Sequence, residues 1–209
     1  MIHQDLRPIV ASSPLEEANA AVILIHGRGG TAQGILDLQR VLTLENAVFI
    51  APQAANNTWY PHSFLAPLEQ NEPYLSSALQ SVGDAVMLVE AAGIPAERIV
   101  IGGFSQGACL ASEFMVRNPK RYGGLLVFSG GVIGPLGMAR NDSGDLAGTP
   151  AFVGCSDVDF HIPLARVQET TAVLAALGAA VTEKIYPGMG HTIIKDEIDH
   201  AQSILDQLR

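Results

Sequence analysis

The chain has 209 residues, of which 48% are apolar and 16% charged, and its formal net charge is −9. This composition excludes disordered and fibrous chains, and the length suits a single α/β domain over residues 1–209. With 12 Lys and Arg residues and no basic run, binding to nucleic acid or to an anionic membrane surface is disfavoured.

The N-terminal residues, the apolar runs and the cysteines indicate the cellular compartment. Residues 1–7 contain no hydrophobic signal-peptide core, and no apolar run approaches the ~18 residues that span a bilayer. The two cysteines, Cys109 and Cys155, fall in predicted helical and strand segments and are expected to be small buried residues. We therefore expect a cytoplasmic protein without stable membrane insertion.

Apolar β-rich runs alternate with helical periodicity along the whole chain. Strands are predicted at 21–26, 48–51, 99–104, 125–129, 151–155 and 181–186, with helices between them and after the last one. We interpret these runs as continuously apolar, a pattern that is typical of strands buried on both faces. The alternation predicts a doubly wound, mostly parallel α/β sheet of about six to seven strands with helices on both faces.

Two long segments, 53–72 and 130–149, fit no regular element. Segments of this length within a compact domain are usually functional loops, and the first begins where ligands bind in open α/β sheets. Its aromatic side chains either form a substrate pocket wall or pack on the sheet edge, and we select Trp59 and Phe64 as pocket residues. Val132 and Met138 of the second segment are candidates to complete that wall.

The most informative motif is Gly-Phe-Ser-Gln-Gly at 103–107, between a predicted strand and a predicted helix. A G-x-S-x-G in this context predicts a nucleophile elbow, a sharp turn that presents the serine hydroxyl above the sheet. The turn strains the serine backbone and needs small neighbours, which Gly103 and Gly107 supply. Ser105 is therefore the candidate nucleophile.

A serine hydroxyl needs a base to accept its proton. Among six histidines, His191 is the candidate, because it lies in a glycine-rich loop between the last strand and the last helix. His26 is interpreted as a structural group that shapes the loop after the first predicted strand. His3 and His200 are predicted to lie at the surface.

The imidazole in turn needs a carboxylate to orient it. Asp157 and Asp159 both follow the penultimate predicted strand, and Asp159 is favoured because it lies four residues before Pro163, which opens a helix. Asp157 stays an alternative. Either choice gives the chain order Ser, Asp, His that accompanies a nucleophile elbow.

Two backbone amides are candidates for an oxyanion hole. One is the N–H of Gln106, directly after the nucleophile, and the other is the N–H of Arg28 in the loop His-Gly-Arg-Gly-Gly at 26–30. The Arg28 side chain could steer an anionic substrate or simply be solvated, and the sequence leaves both open. The loop lacks the residues of a phosphate-binding P-loop.

These motifs, together with Asp-Phe-His-Ile-Pro at 159–163 and Tyr-Pro-Gly-Met-Gly-His at 186–191, resemble the phospholipase/carboxylesterase family of α/β-hydrolases. The family includes acyl-protein thioesterases and small bacterial carboxylesterases, and the aromatic segment at 59–64 is closer to the bacterial branch. The resemblance spans about residues 18–208. It implies an α/β-hydrolase fold, a triad of Ser105, Asp159 and His191, and oxyanion amides from Arg28 and Gln106. The stretch 154–159 is two residues longer than the family's Gly-x-x-Asp pattern.

The expected function is therefore that of a serine hydrolase that cleaves small carboxylic esters through an acyl-enzyme, without metal or cofactor. The same triad could instead serve a thioesterase or a lysophospholipase. A non-catalytic binding protein with a hydrolase fold is the remaining alternative, although such a protein should lack a triad member. Apolar helix faces leave a homodimer open.

Overall fold

The computed structural model describes residues 2–4 and 6–209. Its strands are β1 (Ile9–Ser12), β2 (Ala20–Ile25), β3 (Ala47–Ala51), β4 (Ile99–Phe104), β5 (Gly124–Phe128), β6 (Pro150–Ser156) and β7 (Ala180–Tyr186). Its α-helices are α1 (Ala32–Ile35), α2 (Leu68–Asn71), α3 (Tyr74–Ala91), α4 (Gln106–Arg117), α5 (Leu164–Ala176) and α6 (Lys195–Leu205). Short 3-10 helices cover Leu36–Arg40, Ala55–Asn57, Ala96–Arg98 and Asp206–Leu208.

The seven strands form one sheet in the order β1-β3-β2-β4-β5-β6-β7. Strand β1 pairs antiparallel with β3, and every other neighbouring pair is parallel. All six predicted strands are present, each within one residue of its expected bounds. The doubly wound α/β prediction is therefore confirmed.

The two edge strands differ from the sequence prediction. Strand β1 was not predicted, because its four residues, in a stretch of five between Pro8 and Pro14, give too short a pattern to distinguish from a loop. Strand β7 alternates between exposed and half-buried residues instead of being buried on both faces. Its exposed positions include Lys184, whereas Glu183 is half-buried and accepts from Thr171 of α5. Charged side chains discourage pairing of an open sheet edge with another chain.

The central strands are apolar throughout because both of their faces are covered. In β2, Ile23 and Ile25 face the side on which α3, α4 and α5 pack, whereas Val22 and Leu24 face the side of α1 and α6. All six residues of β2 are fully buried. Helices on both faces, as predicted, enclose two hydrophobic layers.

The parallel arrangement brings the carboxyl ends of β2, β4, β6 and β7 to one edge of the sheet. The loops at 26–31, 157–163 and 187–194 and the turn at Ser105 all begin there. Ligands bind at this edge in open α/β sheets. Among the residues that the structure describes, none of the helices combines the length and apolar character that a membrane-spanning segment needs.

Candidate active site

Ser105 occupies a strained turn between β4 and α4. Its backbone has φ 56° and ψ −120°, a positive φ that a residue with a side chain rarely adopts. A Cβ at Gly107 would lie 2.1 Å from the carbonyl oxygen of Ile25, and one at Gly103 would lie 2.5 Å from the carbonyl carbon of Gly107. The two glycines thus allow the turn to press against β2, and the turn lifts the Ser105 hydroxyl above the sheet edge.

The structure brings His191 between Ser105 and Asp159. The distance from His191 Nε2 to Ser105 Oγ is 2.9 Å, and that from His191 Nδ1 to Asp159 Oδ2 is 2.6 Å. Since an ionised carboxylate can only accept, Nδ1 carries the proton and Nε2 is free to accept from the serine hydroxyl. The second carboxylate oxygen accepts from the N–H groups of His161 and Ile162 at 2.8 and 3.1 Å.

These contacts keep Asp159 ionised. Burial by itself raises the pKa of this carboxyl, but the hydrogen bonds from His191 and from the two backbone N–H groups outweigh burial and lower the pKa below its ordinary value. The carboxyl group is completely shielded from solvent. A negative charge held beside Nδ1 fixes the tautomer and stabilises an imidazolium.

Asp157 lies close to the same loop but does not contact His191. Its Oδ1 accepts from the N–H of Gly188 at 2.8 Å, three residues before the histidine. Strand β6 continues to Ser156, so Asp157 directly follows the strand. Of the two candidate acids, the structure brings Asp159 to the imidazole, whereas Asp157 fastens the loop that carries it.

The amides of Arg28 and Gln106 flank the serine. Neither N–H donates a hydrogen bond within the described part of the chain. A Cβ on Gly27 would lie 3.3 Å from the Ser105 Cβ, so the backbone before Arg28 approaches the elbow closely. Unpaired amides beside a nucleophile can donate to a negatively charged oxygen.

The Gln106 side chain has a role that the sequence did not reveal. It is buried, and it donates from Nε2 to the carbonyl of Tyr60 at 2.9 Å and accepts at Oε1 from the N–H of Trp59 at 3.0 Å. These two bonds fasten the aromatic segment to the elbow.

The prediction that Trp59 lines the pocket is wrong. Trp59 is fully buried beneath the loop that follows β2, with its ring centroid 4.9 Å from that of His26. Its indole N–H donates to the carbonyl oxygen of His26 at 2.8 Å. A large amphipathic ring is most stable where its body is buried and its N–H finds an acceptor, and here that place is under the loop that follows β2.

Two other histidines also support this region. His26 is buried and its Nδ1 lies 2.8 Å from the carbonyl oxygen of Gly27, in agreement with a structural role. His3 is fully buried, which contradicts its predicted surface position: its ring nitrogens contact the Trp59 carbonyl and the Ala55 N–H, both at 3.0 Å. A terminal histidine carries no periodic signal, so its burial could not be predicted. Burial lowers the pKa of both imidazoles.

A cavity of about 580 Å³ opens above Ser105, a volume typical of small-molecule sites. Phe64 lines it as predicted, whereas Val132 and Met138 line a separate cavity. Its walls are formed by Gly27, Arg28, Gly30, Tyr60, Pro61, His62, Ser63, Phe64, Phe104, Ser105, Gln106, Cys109, His161, Ile162 and His191. Burial raises the pKa of Cys109 to about 12, so this thiol stays protonated.

A buried carboxyl group stands at the start of α6, behind the His191 loop. Glu197 is fully buried; its Oε2 accepts from the N–H of Ile194 at 2.9 Å, and its Oε1 has no partner among the described residues. Burial raises its pKa to about 7. Glu197 lies three positions after the N-cap residue Ile194 and supplies the glutamate half of a capping box. Because Ile194 has no side-chain oxygen, the sequence gives no complete capping-box signal for this residue.

The sequence profile of the phospholipase/carboxylesterase family matches residues 8–209. The chain belongs to this family. A crystal structure of a phospholipase/carboxylesterase from Dyadobacter fermentans is 47% identical, with a TM-score of 0.92 and 96% of each chain covered.

Curated relatives agree with this assignment. Acyl-protein thioesterase 1 of Saccharomyces cerevisiae is 26% identical over 93% of this chain and 95% of its own length. A probable carboxylesterase of Arabidopsis thaliana, SOBER1-like, is 27% identical over 91% of this chain and 79% of its own. The protein is thus a hydrolase of esters or thioesters with the α/β-hydrolase fold of its family.

Proposed function

We propose that this member of the phospholipase/carboxylesterase family is a serine hydrolase in which Ser105 is the nucleophile, His191 the general base and Asp159 the carboxylate that orients the base. The observation that carries the proposal is the continuous hydrogen-bonded path from Ser105 Oγ through the imidazole to Asp159. The strained backbone of Ser105 supports it, because such strain persists mainly where function requires it.

In the first half of the reaction, His191 Nε2 takes the hydroxyl proton as Ser105 Oγ attacks the ester carbonyl carbon. The resulting oxyanion accepts hydrogen bonds from the N–H groups of Arg28 and Gln106, each worth about 3 kcal/mol of barrier. The C–O bond to the alcohol then breaks, and the alcohol leaves with the proton from His191. In the second half, His191 takes a proton from a water molecule as its oxygen attacks the acyl carbonyl carbon. The bond to Ser105 Oγ then breaks, the carboxylic acid leaves, and Ser105 regains its proton from His191.

We propose carboxylic esters as the substrate class. A thioesterase is the second candidate, because the yeast relative bears the name acyl-protein thioesterase 1. A lysophospholipase would use the same residues. Rates on matched oxygen and sulfur esters of one acyl group distinguish the first two, and rates on short and long acyl chains test the third.

The triad is tested by Ser105→Ala. We expect kcat for 4-nitrophenyl acetate to fall by about 10⁴-fold or more, since the acyl-enzyme cannot form. Ser203→Ala, which removes a hydroxyl that bonds only within α6, is the matched control and should leave the rate unchanged. A Ser105→Ala protein that is folded by circular dichroism yet turns over at the wild-type rate would contradict the proposal and favour a different nucleophile.

Two sequence-based expectations stay predictions: a single domain over residues 1–209 and a cytoplasmic location. A homodimer stays one of the oligomeric states that the sequence allows. The alternative of a non-catalytic binding protein is disfavoured by the presence of all three triad side chains in hydrogen-bond contact.

A further inference from the structure

The cavity above Ser105 differs in charge from the rest of the protein. The chain carries 21 acidic and 12 basic residues, yet within residues 2–4 and 6–209 no carboxylate side chain lines this cavity. Its walls instead contain one guanidinium and three imidazoles, from Arg28, His62, His161 and His191. The Asp159 carboxylate lies behind His191, so the Arg28 guanidinium is the charged group that a negatively charged ligand meets in this cavity.

Arg28 is held in place at this cavity by neutral groups. Its Nη1 and Nη2 donate to the carbonyl oxygens of Pro61 and His62 at 3.1 and 2.8 Å, and its guanidinium carbon lies 6.0 Å from the centre of the Tyr60 ring. Carbonyl groups and an aromatic face orient a guanidinium without neutralising its charge. The side chain is thus positioned in advance, which lowers the entropic cost of binding a ligand.

The guanidinium keeps unused binding capacity. It has five N–H donors, of which the two carbonyls engage two. Within residues 2–4 and 6–209, no carboxylate pairs with Arg28. The planar donor geometry of an arginine matches a carboxylate, with which it forms short, charge-assisted hydrogen bonds.

The arginine lines the same cavity as the nucleophile. It follows Gly27, whose backbone approaches the Cβ of Ser105, and both residues line the same cavity. His161 lies on the base side, with its ring centroid 4.8 Å from that of His191. An imidazole can donate to a carboxylate in its neutral form as well as when charged.

We propose that the preferred substrate is an ester that carries a carboxylate, and that the Arg28 side chain binds this group. The inference rests on the proposed esterase function and specifies its substrate class. The carboxylate belongs either to the acyl part or to the alcohol part of the ester. The experiment below tests each of these two positions with its own pair of esters.

The test compares esters of similar shape that carry either a carboxylate or a neutral carboxamide. In the acyl arm, monomethyl succinate is compared with methyl succinamate; in the alcohol arm, 4-acetoxybenzoate is compared with 4-acetoxybenzamide. We expect kcat/KM for the anionic ester to exceed that for its amide by about threefold in one arm at low salt, because Arg28 is solvent-exposed and an ion pair at such a position contributes modestly. The ratio should shrink as NaCl rises from about 20 to about 500 mM.

Variants then assign the effect to the side chain. Arg28→Gln should bring the ratio in the responsive arm close to 1, and Arg28→Lys should restore part of it. A ratio is used because any effect of the substitution on the oxyanion amide changes both esters alike. Arg209→Gln, which removes the same charge at the far end of the chain, should leave the ratio at its wild-type value.

The outcomes separate the two proposals. The carboxylate inference would be overturned if the ratio of kcat/KM values, anionic ester over amide, were at or below 1 in both arms of the wild-type test. It would also be overturned if Arg28→Gln left this ratio unchanged. Hydrolysis of 4-nitrophenyl acetate would still support the proposed esterase function in both cases. Hydrolysis of 4-nitrophenyl acetate but of none of the four test esters would overturn it as well. If 4-nitrophenyl acetate is not hydrolysed either, the proposed function itself fails and the inference falls with it.

Discussion

At the scale of single residues, the site depends on how the protein uses two neighbouring aspartates. Asp159 is buried and receives four hydrogen bonds, from His191, from the Cys155 thiol and from the N–H groups of His161 and Ile162. Asp157 is exposed and receives a single bond from the N–H of Gly188. The motif spacing left both aspartates open, because spacing does not specify in which direction a loop side chain points.

The two aspartates make a matched pair for mutagenesis. Asp159→Asn should lower kcat by about 10⁴-fold, because an amide in this position favours the imidazole tautomer that cannot accept the serine proton. Asp157→Asn retains an oxygen that can accept from Gly188 and should cost less than about tenfold. Steady-state hydrolysis of 4-nitrophenyl acetate measures both, and a larger loss in Asp157→Asn would reverse the assignment.

Glu197 provides a prediction about stability and pH. Since its pKa is raised to about 7 in the folded protein, the folded state holds this proton more tightly than the unfolded state does. The resulting stabilisation is complete below the ordinary glutamate pKa and is lost as the pH rises through about 7. The carboxyl group therefore destabilises the fold at alkaline pH.

We compare the change in the free energy of unfolding that Glu197→Gln causes at pH 8 with the change that it causes at pH 4. The change at pH 8 should be more favourable to the folded state by about 2–3 kcal/mol. The glutamine oxygen can still accept from the N–H of Ile194. Urea unfolding at the two pH values measures the difference, and Glu45→Gln, at an exposed position, is the control. Equal effects of Glu197→Gln at both pH values would show that its burial does not shift its titration.

At the scale of elements, the segment 53–72 acts as a clamp around the elbow and the loop after β2. Trp59 supports the His26 carbonyl from below, and the Gln106 side chain holds the backbone at residues 59 and 60. Only the outer part of the segment, including Phe64, reaches the cavity. The sequence located the segment at the site, but composition cannot tell which aromatic rings point inward.

Trp59→Phe tests this role. The substitution removes the N–H that satisfies the His26 carbonyl and leaves space in the core, so we expect a loss of stability of about 2–3 kcal/mol. The ratio of kcat/KM values for acetate and butyrate esters should stay constant, because the ring does not touch the cavity. Thermal unfolding measures the stability, and the rates on the two esters measure the acyl-length preference. A changed preference with unchanged stability would show that Trp59 lines the pocket.

At the scale of the whole molecule, the alternation of strand and helix predicts the fold, and the five inner strands follow from their apolar runs. Residues that depend on distant contacts could not be predicted in this way. His3 is buried by the segment at 55–59, and β1 exists because β3 offers a free edge for pairing. Ser105 and His191 were predictable, since chain order and the position of each turn relative to a strand place them at the same edge of a parallel sheet.

The central claim is that Ser105 is activated by its contact with His191. Its most direct test is labelling with a fluorophosphonate, followed by tryptic digestion and fragment-ion sequencing of the peptide at 99–117, which contains both Ser105 and the buried Ser112. We predict one adduct per chain, on Ser105, and a rate of labelling that falls by at least about 10³-fold in His191→Ala. An adduct on another residue, or labelling of Ser105 that does not depend on His191, would contradict the claim.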